Sequence, residues 1–160
     1  MSGASSWSFR EEDSTRIHAI LTGFLRESNA RTGMIVDRTG QMVAVVGEEP
    51  SFDPTAFASL TAADFSANDQ LARMIGEPEF GSLFHQGEKE SMYLADIARR
   101  VILVALFDNR TTLGLVRLKI KDTVHELTKL FHDVFTRGKS AAQQPGLLAG
   151  ADDEIDQLFG

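Results

Sequence analysis

No cysteine occurs in the 160 residues, which excludes disulfides, thiolate catalysis and cysteine-ligated zinc or iron–sulfur centres. Long apolar runs are also missing. The longest, such as Val101 to Phe107, falls far short of the roughly 20 residues that a membrane helix needs. The opening stretch MSGASSWSFREED has neither a basic start nor an apolar centre. It does not read as a signal peptide, and the cytoplasm is the expected compartment. Clustered positive charge is scarce too. With a formal net charge of −7 and no basic stripe, the chain is expected to bind neither nucleic acid nor a membrane. Arg117, Lys119 and Lys121 read as the solvated side of one element.

Catalytic signatures are equally thin. There is no GxxxxGK[ST] loop to cradle phosphates and no GxGxxG after a strand. No GxSxG nucleophile turn occurs either. His125-Glu126 begins like a zinc-protease motif, but Lys129 stands where the second ligand belongs. His125 and His132 share one helix side, seven residues apart, with no further convergent ligands. The expectation is therefore no catalytic residue, no metal and no cofactor: a scaffold, not a reaction centre.

What is present is an ordinary globular composition, 42% hydrophobic and 24% charged, in a chain long enough for one self-sufficient core. Residues 11 to 29 read as a helix: Glu11, Glu12 and Asp13 suit its N-terminus, and Ile17, Ile20, Leu21, Phe24 and Leu25 follow at helical spacing. Two β-branched runs, Thr32 to Asp37 and Gln41 to Val46, flank Asp37-Arg38-Thr39-Gly40, a hairpin turn with Gly40 left-handed. A second helix is expected from Pro54 to Ile75, begun by Asp53 and Pro54 and stopped by Gly76 and Pro78. Its apolar stripe, Phe57, Leu60, Leu71, Met74 and Ile75, is assigned to the sheet. The stripe through Ser59, Ala62, Ser66 and Gln70 is small or uncharged where solvent would favour Lys and Glu, and is read as a contact surface.

Three strands follow, Ser82 to Gln86, Ser91 to Ala98 and Val101 to Phe107, the last apolar throughout and so central. VRLKIK alternates like a strand. Over a longer window, Leu113, Val116, Ile120, Val124, Leu127, Phe131 and Val134 form one helical stripe, and the reading is a helix ended by Gly138. The order is α-β-β-α-β-β-β-α, a mixed α/β (α+β) domain with a five-stranded, largely antiparallel sheet flanked by helices. The expected domain covers 11–138, after a flexible N-terminus at 1–10. Residues 139–150 read as a disordered linker. The end, 151–160, combines Asp152, Asp153, Glu154 and Asp156 with Ile155, Leu158 and Phe159 on one side of a short helix. Such a segment is expected to fold only on a partner.

The segment FDNRTTLGLVRLKIKDTVHELTKLF, the stretch ASLTA at Ala58 to Ala62 and the end DDEIDQLF resemble the bacterial gliding-motility branch of the roadblock/dynein-light-chain family. The resemblance covers roughly residues 11 to 137, and then the tail. It implies a cytoplasmic homodimer, placed at a cell pole, of which two copies engage one Ras-like small GTPase and raise its hydrolysis rate. It also implies a setting in cell polarity and gliding motility. On this chain the implied partner contacts are Ser59, Ala62, Ala63, Ser66, Ala67, Gln70, Arg73 and Met74, with Ile155, Leu158 and Phe159 as a second contact affecting binding or nucleotide exchange. The same fold also serves as a dimeric adaptor that leaves GTPase rates unchanged. A small-molecule sensor would need buried polar groups on the inner strand faces, and Val101 to Phe107 offers none.

Overall fold

Every side chain of Val101–Phe107 is buried, and the architecture is built outward from that strand. The computed structural model describes residues 9–142, so the tail positions Ile155, Leu158 and Phe159 and most of the expected linker lie outside the described residues. The elements are α1 (Glu11–Ser28), β1 (Thr32–Asp37), β2 (Met42–Gly47), α2 (Pro54–Met74), β3 (Ser82–Gln86), β4 (Ser91–Ile97), β5 (Val101–Phe107) and α3 (Leu113–Ala142). The expected order holds. The strands form a single sheet ordered β2-β1-β5-β4-β3, and each of its pairings is antiparallel.

Because strand side chains alternate between faces, β5 feeds two cores. Leu103, Ala105 and Phe107 meet α1 and α3 through Ile17, Leu21, Phe24, Val116, Ile120, Leu127 and Phe131. Ile102, Val104 and Leu106 point the other way, beside Met34, Val36 and Leu94, and meet α2 at Ala58 and Phe65. One face thus carries two helices and the other carries α2 alone.

The turns follow their chemistry. Asp37 accepts hydrogen bonds from the Thr39 backbone N–H at 2.7 Å and the Thr39 hydroxyl at 2.8 Å, while Gly40 takes a φ of 98°, a conformation open to glycine without a side-chain clash. Between β4 and β5, Ala98 and Arg99 adopt φ of 54° and 59°, which non-glycine residues adopt rarely. The Asp96 carboxylate accepts from the Arg99 N–H at 3.2 Å and helps to hold them there.

α1 and α3 are tied by a pair between a buried aspartate and a half-buried arginine. Asp13, 1% exposed, accepts two hydrogen bonds from the Arg137 guanidinium and one from the Arg10 N–H at 2.9 Å. The Arg137 hydrogen bond, outweighing burial, holds the Asp13 carboxyl below the usual aspartate range. The pair therefore stabilises the fold fully above the unfolded aspartate value near pH 4 and is lost as pH falls through the lowered folded value. In acid urea titrations, the wild-type midpoint should drop more steeply below about pH 4 than that of Asp13→Asn. Parallel curves would show that the pair does not stabilise the fold.

Three sequence expectations are corrected. The stripe assigned to the sheet is turned outward: Leu60, Leu71, Met74 and Ile75 are 71%, 57%, 81% and 71% exposed, and of that set only Phe57 is packed against the core. The buried side of α2 is Ala58, Thr61, Ala62, Phe65, Asn68 and Ala72. Small side chains bring the helix backbone close to the sheet, which outweighs the larger but poorly fitting apolar residues. Ala62 is accordingly buried and is no part of an outer surface. Finally, Gly138 does not end α3, which continues to Ala142. An interior glycine costs a helix only about 1 kcal/mol.

Candidate partner-binding surface

α2 is well delimited. Asp53 accepts from the Thr55 N–H at 3.1 Å and Pro54 occupies the first turn, as helix N-termini favour. At the other end Gly76 is left-handed, and the Gly76 and Glu77 N–H groups close on the carbonyls of Arg73 and Ala72. Phe65 is fully buried and is the largest of the buried side chains of the helix. The Arg38 guanidinium lies 4.8 Å from its ring centroid. It donates to Asp69 at 2.6 Å and to Asp96 as well, so one side chain joins the β1–β2 turn, α2 and the end of β4. Burial opposes the Arg38 charge, but the hydrogen bonds to Asp96 and Asp69 outweigh it and raise its pKa.

The charges of α2 are thus drawn to its flanks. Asp69 is held by Arg38, and Asp64 lies 2.6 Å from His85 of β3. Between the flanks, Ser59, Leu60, Ala63, Ser66, Ala67, Gln70, Leu71 and Met74 are exposed and uncharged, with Arg73 at the rim. The structure brings together every helical contact expected from the sequence except Ala62, and adds Leu60 and Leu71. Four of the five large exposed hydrophobic side chains among the described residues lie on this helix or its C-terminal cap. Soluble proteins seldom leave such a ridge uncovered unless it meets a partner.

The signal for this orientation was in the sequence. Ala58, Thr61, Ala62, Phe65, Asn68 and Ala72 recur at helical spacing, but they stand out only if alanine is weighed as a close-packing residue. The Arg38–Asp69–Asp96 link had no such signal, since its members are 31 and 58 positions apart.

Arg99, Arg100 and Arg110 have partners on other segments. Arg99 pairs with Glu79 at 2.9 Å, and Arg100 lies 5.0 Å over the ring of Phe135. Arg110 bonds Asp108 at 2.9 Å and Glu48 at 2.7 Å. Its hydrogen bonds pull the Asp108 carboxyl down to about 2 and raise its own pKa. Among the described residues, no helix is long and apolar enough to cross a membrane.

The Roadblock/LC7 domain model matches residues 17–107, from within α1 to the end of β5 and including all of α2. The chain belongs to the Roadblock/LC7 family. Among solved structures, it is similar to MglB of Myxococcus xanthus at 44% identity, over 74% of this chain and 97% of that one, with a TM-score of 0.72. The gliding protein MglB of Thermus thermophilus is 28% identical over 80% of this chain and 97% of that one, with a TM-score of 0.74. An MglB solved in a tetrameric arrangement shares 28% identity over 81% and 97%, at a TM-score of 0.75. A comparison with curated proteins finds none that matches. The family match includes the whole of α2, so the helix that carries the ridge belongs to the shared body of the fold.

Proposed function

We propose that this roadblock chain acts as a homodimer that binds a Ras-like small GTPase of a cell-polarity and gliding-motility system through the outer face of α2 and accelerates its GTP hydrolysis. The observation that carries the reading is the exposed, uncharged ridge of Leu60, Ala63, Ala67, Leu71 and Met74. The 44% identity to an MglB, a protein described elsewhere in the family as a gliding protein, supports the biological setting. Small residues at Ala63, Ser66 and Ala67 admit close approach of a partner backbone. Two copies side by side would present a shallow platform for one GTPase. The reading places the protein in the cytoplasm at a cell pole, with Ile155, Leu158 and Phe159 as a second, regulatory contact.

The activator needs no reacting group. Phosphoryl transfer depends mostly on positioning and charge stabilisation, and a protein that binds the competent GTPase conformation more tightly increases its population. A pull-down with the GTPase loaded with a GTP analogue or with GDP should show strong preference for the GTP form; equal capture of both would contradict the reading.

An arginine finger supplied in trans is worth about 10³–10⁵ in rate. Arg99, Arg100 and Arg110 are each held by a neighbour off the α2 face, and Arg73 sits at its rim. Alanine at any of the four is therefore expected to cost less than roughly tenfold in stimulated hydrolysis, against that finger magnitude. A loss of a thousandfold or so at one position would overturn the no-finger mechanism.

A further inference from the structure

α3 has a second surface that the partner-binding reading leaves unused. Its side toward the β4–β5 turn forms an open groove of about 490 Å³, walled by Ala98 and Arg100 and by His125, Lys129, His132 and Phe135 of the helix. Every ionisable group in that wall is a cation or an imidazole, in a chain of net charge −7. Asp122, Glu126 and Asp133 of the same helix do not line it. Among the described residues, none of Arg100, His125, Lys129 and His132 is paired with a carboxylate. The guanidinium of Arg100 lies over the Phe135 ring, so one wall is aromatic and cationic together. The patch has no consecutive run in the sequence, because Arg100 comes from the β4–β5 turn and His125, Lys129 and His132 are four and three positions apart on α3.

The last residues of the same chain carry the complement. Asp152, Asp153, Glu154 and Asp156 bring four carboxylates, and Ile155, Leu158 and Phe159 bring three apolar side chains. We propose that residues 152–159 seat in this groove of their own chain, acids against Arg100 and Lys129 and apolar side chains against Phe135.

Chain length permits the fold-back. Thr136, at the near end of the groove, precedes Ala142 by about 9 Å of helix and His125, at the far end, by about 26 Å. Residues 143–151 can reach up to about 30 Å when extended. A short tether gives an effective concentration near the millimolar range, so even a weak contact is occupied in cis. The seat holds the tail away from any partner until that partner competes for it. This inference stands apart from the GTPase reading, and its test needs no GTPase.

The absence of cysteine allows a single nitroxide at Glu126→Cys, beside the groove, in the full-length, isotope-labelled protein. The expected result is loss of the amide signals of 152–159 at low ionic strength. They should return at about 1 M salt, where the Debye length is about 3 Å, and also in Lys129→Glu and in Arg100→Glu, each checked for unchanged folded spectra. Full tail signals at low salt would overturn the proposal. So would a loss that survives both high salt and the two charge reversals. An equal loss when the nitroxide is carried only by the unlabelled copies of a mixture would place the tail in another chain's groove, and overturn the seat in cis.

Discussion

Ala67→Arg is expected to weaken partner binding by at least about thirtyfold, the equivalent of the 2 kcal/mol that marks an interface hot spot. Ala67 is exposed on α2, one turn from Ala63 and from Leu71. An arginine there would force a charge and a long side chain into a close, uncharged contact, where a desolvated and unpaired charge is heavily penalised. Ser66→Arg and Gln70→Arg should also abolish binding while leaving a folded dimer. The fold itself should not notice, because alanine and arginine differ little in helix propensity and the site touches no core. Affinity measured by titration calorimetry, with Ala19→Arg on exposed α1 as a control, separates the surfaces. If Ala67→Arg binds like the wild type, the partner does not sit on α2, and the sheet edge becomes the next surface to test.

Phe65→Ala is expected to remove about 3–5 kcal/mol from a stability of roughly 5–15 kcal/mol. Its ring is fully buried among Met34, Val36, Leu94 and Val104, and the neighbours on its own helix, Ala58, Ala62 and Ala72, are too small to fill the cavity. The Arg38 guanidinium would also lose the ring beneath it, worth about 0.5–1 kcal/mol or more. By contrast, Leu60→Ala on the outer face should change stability by no more than about 0.5 kcal/mol while weakening partner binding. Urea unfolding of the two variants gives the comparison. A cost below about 1 kcal/mol for Phe65→Ala would mean that α2 is seated by other contacts.

Much of the fold could be read from residues alone, because its strongest signals are local. Val101 to Phe107 is apolar at every position, and α3 keeps one stripe from Leu113 to Val134 despite the alternating VRLKIK. The termini of α2 follow from Asp53, Pro54 and Gly76. The orientation of α2 was not legible by the same rule. Hydrophobicity pointed Leu60, Leu71 and Met74 inward, but shape complementarity gave the inner side to alanines around one phenylalanine, Phe65. The extent of α3 past Gly138 was hidden because a glycine penalty is small against a helix already anchored by packing. Most of the expected contact residues lie together on the exposed side of α2, because absence of charge on a helix face is itself a local pattern. The Asp13–Arg137 pair, 124 positions apart, had no local trace at all.

The central claim is that this chain accelerates hydrolysis by a partner without supplying catalytic groups. Single-turnover GTP hydrolysis by the Ras-like GTPase, followed with rising amounts of this protein, tests it most directly. The expected result is a saturable increase in rate that needs at least about thirtyfold more of the Ala67→Arg variant and is kept by Arg73→Ala, with no hydrolysis by this protein alone. Tight binding with an unchanged hydrolysis rate would contradict it, and would make the chain an adaptor.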